Sequence, residues 1–142
     1  MQVLLVAVRV KVRVSHGSRS KVVTVLVNGG AESEEPVIVL RPEDALELGT
    51  SLENFDVIEV ELATGISRSL ISRDKVKVEL LDERGNTLSY TYAYLVVDEG
   101  LTEPLITDAT IDELGIQVVS FRRGLWRHRN DPPDMFRSSA LR

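Results

Sequence analysis

The chain has 142 residues, 43% of them hydrophobic and 27% charged, with a formal charge of −5, no cysteine and two histidines, the composition of one globular domain. The missing cysteines exclude disulfides, iron–sulfur clusters, thiolate zinc sites and cysteine nucleophiles, and His16 and His128 are too far apart in sequence for ligand spacing, so neither a metal nor a cofactor is expected. No run reaches the roughly 18 to 20 apolar residues of a membrane-spanning helix, and the alternating QVLLVAVRVKVRV is unlike a signal peptide, so the expected location is cytoplasmic, without a membrane partner.

Val6, Val8, Val10, Val12 and Val14 alternate with Ala7, Arg9, Lys11 and Arg13, the period-two pattern of a half-buried strand. Ser15 to Ser18 makes a turn. Lys21 to Val27 is a second, more uniformly apolar strand that runs into Asn28-Gly29-Gly30-Ala31. Arg41-Pro42-Glu43-Asp44 opens a short helix, with proline at its first position and acids facing its dipole, and Gly49 closes it. Val57 to Leu62 and Lys75 to Leu81 are predicted strands around a hairpin tip at Ala63 to Ser67, and Asp82 to Asn86 is a turn. Thr87 to Val97 completes a mostly β chain of about seven strands. Thr107 or Asp108 caps a second short helix that stops at Leu114-Gly115. Residues 1–120 are expected to form the β domain, and residues 121–142 a basic and aromatic segment, packed in part and then flexible.

Charge is unevenly spread. Asn28 to Glu61 holds ten acids against the single Arg41, whereas FRRGLWRHR, Phe121 to Arg129, holds four arginines and no acid. Arg122, Arg123, Arg127 and Arg129 beside Phe121 and Trp126 are therefore a candidate anion or nucleic-acid surface. The plainer reading packs the aromatics on the domain and pairs the arginines with the acidic half. The abundant Glu and Arg also suit a thermophile.

Two regions match each other. A buried strand ends in a turn, Glu35-Pro36-Val37-Ile38 follows, and a helix leads to Leu48-Gly49. Later a buried strand ends at Asp98-Glu99-Gly100, Glu103-Pro104-Leu105-Ile106 follows, and a helix leads to Leu114-Gly115. Such duplication predicts two similar halves about a pseudo-twofold axis.

A hydrophobic strand, a three-residue site, Ala31, an aliphatic strand and a helix ending in Leu-Gly, followed by a hairpin and a second such segment, resembles the retropepsin-like aspartic proteases from about Val22 to Val119. The resemblance implies a closed β-barrel with two short helices that works as a homodimer. It also implies a peptide groove at Asn28, Gly30 and Ala31, covered by a flap hairpin with Thr64, Gly65 and Ile66 at its tip. In that family the site reads Asp-Thr-Gly or Asp-Ser-Gly, then Ala. Here Asn28 stands at the Asp and Gly29 at the hydroxyl residue, while Gly30 and Ala31 match.

The two family aspartates share a proton because like charges about 3 Å apart cannot both ionise, and together they serve as base and acid. Asn28 supplies neither, a loss of roughly 10²- to 10⁴-fold per role. No catalytic residue is expected, and the leading expectation is a noncatalytic homodimer that binds a peptide or protein. The alternatives are an aspartic endopeptidase with an unusual dyad, rescued by Glu32, Glu34 or Glu35, and anion or nucleic-acid binding by the arginine cluster. In a dimer, the apolar strands near the termini and Trp126 are expected at or near the subunit contact.

Overall fold

The structure, a computed structural model, describes residues 7–62 and 65–141; Thr64 of the expected groove lies outside them. The strands are β1 (Arg9–His16), β2 (Arg19–Val27), β3 (Val37–Leu40), β4 (Asp56–Leu62), β5 (Gly65–Leu81), β6 (Thr87–Val97), β7 (Leu105–Ile106), β8 (Ile116–Ser120), β9 (Leu125–His128) and β10 (Arg137–Ser138). Two helices, α1 (Pro42–Glu47) and α2 (Asp108–Leu114), and a single 3₁₀ turn at Leu52–Asn54 interrupt them. The chain is mostly β, as its alternation predicts. Ten strands form among the described residues rather than about seven, because two- to five-residue strands such as β7 and β8 are too short to show a period.

Seven strands make one sheet in the order β1-β2-β7-β3-β6-β5-β4, and β1 also pairs with β5, so the sheet returns on itself as a ring with β4 outside it. Its interior is filled by alternate side chains: Val8, Val10, Val12 and Val14, with Val25, Ile38, Leu40, Leu80, Leu95 and Ile106, are all buried. Each such burial contributes about 1.5–3 kcal/mol.

β5 is longer than the Lys75 to Leu81 strand read from the sequence. Its first part pairs with β4 from Leu62↔Gly65 to Asp56↔Ile71 and its last part with β1 from Lys77 to Leu80, while β6 lies along the other edge from Leu70 onward, with a register shift between Ile71 and Lys75. A local irregularity of this kind lets one strand bend from one partner to the next.

The two Glu-Pro-aliphatic-Ile segments are paired alike. β3 runs parallel to β6, with Ile38 opposite Leu95, and β7 runs parallel to β2, with Ile106 opposite Val27. β3 and β7 meet antiparallel at Ile38↔Ile106. Tyr94 donates its N–H to Pro36 O and Leu26 donates to Pro104 O, both at 2.9 Å. One sequence offset relates the two sets.

Pro42 starts α1, and Gly49 (φ +73°) and Gly115 (φ +72°) follow the two helices in the left-handed region that glycine accepts without a Cβ penalty. The expected side-chain cap on α2 is not made. Thr107 occupies the cap position, but its hydroxyl takes no helix backbone N–H and instead shares a 3.2 Å contact with the Thr110 hydroxyl. Asp108 is already helical, and its Oδ1 accepts the N–H groups of Ala109 (2.7 Å) and Ser33 (2.9 Å).

β8, β9 and β10 form a second, small sheet. Trp126 and His128 point inward, 4% and 2% exposed. Trp126 is thus covered by its own chain. Arg137 lies over its ring at 5.7 Å and grips Asp131 with two bonds of 2.8 Å. Beyond β10, Ser139 Oγ accepts the N–H of Arg9 and Ala140 donates to Arg9 O, both at 2.8 Å, which straps the C-terminal residues to β1.

Candidate functional site

Asn28 leaves the end of β2, where its N–H donates to Ile106 O at 3.4 Å. Its side chain is engaged locally: Oδ1 accepts the Gly30 N–H at 3.2 Å, and its carbonyl accepts the Ala31 N–H at 3.1 Å. This is an Asx turn, the use that short polar side chains most often find at a strand end. Gly29 and Gly30 are exposed.

The loop that follows is held from behind by α2. Ala31 O accepts the Asp108 N–H at 2.9 Å, and Ser33 gives its N–H to Asp108 and shares a 2.7 Å hydroxyl contact with Thr107. Thr110 Oγ1 both receives the Val37 N–H and donates to Val37 O, each at 2.8 Å. Three hydroxyls and one carboxylate therefore fix the path from Ala31 to Val37.

No carboxylate is hydrogen-bonded to Asn28 among the described residues. Glu32 and Glu34 are exposed, and Glu35 turns to Lys75 at 3.1 Å. The acidic loop thus pairs with β5 and not with the arginines near the C-terminus. No three His, Asp or Glu side chains converge to hold a metal among the described residues.

The second half repeats the turn chemistry with an acid. Asp98 follows β6, its Oδ1 accepts the Gly100 N–H at 2.8 Å, and its carbonyl accepts the Leu101 N–H at 3.4 Å. Its own N–H goes to Leu40 O at 3.2 Å. Asp98-Glu99-Gly100 was legible as a turn, but the shared Asx-x-Gly spacing with Asn28 was the signal that it is a candidate site.

An open cleft of about 480 Å³ lies at this second turn. Val97, Asp98, Glu99 and Gly100 form one wall, while Val57 and the β5 residues Ser67 to Leu70 form the other, with Pro42 and Leu52 nearby. Asn28, Gly30 and Ala31 sit together in the first turn but do not line this cleft. Gly65 and Ile66 begin β5, opposite Leu62 and Glu61, and Ile66 is 71% exposed. Neither lines the cleft; the β5 residues that do, Ser67 to Leu70, follow them directly in the strand.

The arginine cluster is divided. Arg122 and Arg123 are exposed in the β8–β9 turn, beside Phe121. Arg127 donates to Asp131 O, and Arg129 lays its stem against Gly115, where an added Cβ would come within 2.8 Å of Arg129 Cγ. The chain matches no family model and no curated protein sequence.

Proposed function

We propose that this chain is a noncatalytic, retropepsin-like homodimer that holds an extended peptide or protein segment between the β4–β5 hairpin and the two Asx turns. The observation that carries this reading is the side chain of Asn28. Its position at the strand end offers an amide committed to the Gly30 N–H, with no carboxylate bonded to it among the described residues. A site without a titratable group at that point lacks both general base and general acid.

β4 supports the peptide half of the reading. Among the described residues it pairs only with β5, which leaves its other edge open to a further strand, and Val57, 64% exposed, lines the cleft. A peptide added there as a further strand would draw affinity from main-chain hydrogen bonds and specificity from alternate side chains.

The test is cleavage of unfolded protein and peptide libraries from pH 3 to 8 by the unmodified chain, by Asn28→Asp, and by Asn28→Asp with Gly29→Thr. The expected result is no hydrolysis by the unmodified chain and measurable hydrolysis by the double variant. Turnover by the unmodified chain that is abolished by Glu32→Gln or Glu34→Gln would overturn the noncatalytic reading in favour of an endopeptidase with a relocated carboxylate.

A further inference from the structure

The outer face of the ring carries a patch that the peptide reading does not use. On β6, Ala93 and Leu95 point inward, and Tyr90, Tyr92 and Tyr94 occupy the alternate outward positions. Tyr90 and Tyr92 are 58% and 52% exposed. Aromatic side chains bury large apolar areas when they find a partner, so two half-exposed rings on one face of the sheet offer a surface for one.

The strands beside β6 put cations around these rings. Tyr92 lies opposite Lys77 and Tyr94 opposite Lys75, and on β1 Ser15 lies opposite Lys77 and Arg13 opposite Glu79. Lys77 Nζ stands 4.9 Å from the Tyr90 ring centre and Lys75 Nζ 5.2 Å from that of Tyr94. Lys11 is exposed further along β1 on the same side. Against these four cations the face holds Glu79, near Arg13 at 3.6 Å, and receives Glu35, near Lys75 at 3.1 Å. The face is therefore net positive on a chain whose formal charge is −5.

We propose that this Tyr90–Tyr92–Tyr94 face binds single-stranded nucleic acid, with bases stacked on the tyrosines and phosphates held by Lys75, Lys77, Lys11 and Arg13. Exposed rings beside cations carry the choice of ligand. Tyr90 and Tyr92 meet edge to face, with ring centres 6.0 Å apart and planes at 86°, so bases would stack on the solvent side of the pair and not between the two rings. An acidic peptide would use the lysines but would leave the rings idle. Stacking platforms flanked by cations are how sequence-tolerant single-strand binders work.

The test is fluorescence anisotropy of the full chain with a labelled oligothymidylate, with inorganic polyphosphate as competitor. The expected affinity falls with salt, with a log–log slope of about −1 to −3 for two to four phosphate contacts. Tyr90→Ala and Tyr92→Ala should each weaken binding roughly 5- to 100-fold, as loss of one stacked base does. Tyr92→Phe, which keeps the ring, should bind as the unmodified chain does. Lys77→Gln should weaken binding and flatten the salt slope, and Arg122→Ala with Arg123→Ala should leave it unchanged. All these side chains are at least partly exposed, and thermal unfolding of each variant verifies its fold. The proposal is overturned if no binding occurs at low salt, if affinity survives both tyrosine-to-alanine changes, if polyphosphate competes as well as unlabelled oligothymidylate, or if the loss follows Arg122 and Arg123.

Discussion

Asp108 Oδ1 accepts the backbone N–H of Ser33, 75 residues away in the chain, at 2.9 Å. The first residue of α2 thus holds the loop that leaves the Asn28 turn, and the same oxygen also takes the Ala109 N–H at 2.7 Å. Asp108→Ala leaves both donors unpaired and is expected to cost about 1–3 kcal/mol, measured by urea denaturation. Asp108→Asn retains an oxygen at that position and should recover most of the loss. Equal losses in the two variants would show that the charge, rather than the acceptor, does the holding.

Arg137, Asp131 and His128 give the fold an acid-sensitive knot. The Arg137 fork holds the Asp131 carboxyl down to about 2 from its ordinary 3.8, and the His128 backbone N–H helps. Burial pushes the His128 imidazole below its ordinary 6.5 against the opposing pull of Asp131, and Nδ1 accepts the Asn130 N–H, as only a neutral ring does. Both shifts are downward, so in both cases the unfolded chain binds more protons in the window between the two values, and stability rises with pH there. Stability should therefore fall as the pH drops below about 6.5, and fall again between about 3.8 and 2. Asp131 contributes about 2 kcal/mol to the second step. Chemical denaturation against pH reads both steps, His128→Gln should remove the first, and Asp131→Asn should shrink the second, leaving the part due to Asp82, whose carboxyl the Asn86 and Arg84 N–H groups also hold low.

Trp126 and Phe121 lie five residues apart with opposite fates. Trp126→Ala empties a buried site under Arg137 and should cost about 3–5 kcal/mol, whereas Phe121→Ala, at a side chain 52% exposed, should fall within about 0.5 kcal/mol of the unmodified chain. Thermal unfolding separates them.

Gly115 is fixed by conformation and by contact. Its φ is +72°, and a Cβ there would sit 2.8 Å from Arg129 Cγ and Cδ. Gly115→Ala is expected to cost about 1–3 kcal/mol from the backbone conformation alone. The double change with Arg129→Ala removes the steric part, so any penalty remaining in denaturant unfolding measures the left-handed backbone.

Symmetric pairing of two chains is part of the proposed function, and sedimentation at micromolar concentration tests it directly. A dimer is the expected species. A monomer across that range would remove the partner half of the groove and sink the homodimer reading.

Much of the architecture was written locally. The valine alternation from Val8 to Val14 fixed which face of β1 is buried, because the side-chain period of a strand is two and one face must exclude water. Pro42, Gly49 and Gly115 placed both helices, since a proline nitrogen and a left-handed glycine act on their own backbone whatever surrounds them. The duplicated Glu-Pro-aliphatic-Ile segments and the amide at Asn28 were equally visible. Only the tertiary structure decided what those residues touch. Asp108 reads as a cap until Ser33 arrives from the other half of the chain, and Glu35 reads as a partner for distant arginines until Lys75 lies 3.1 Å away. Likewise, Tyr90, Tyr92 and Tyr94 join Lys75, Lys77 and Arg13 only because β1, β5 and β6 are neighbours in the ring. Side-chain period and backbone conformation are local properties, whereas strand neighbours and charge partners are set by the closure of the sheet, which no short stretch of sequence encodes.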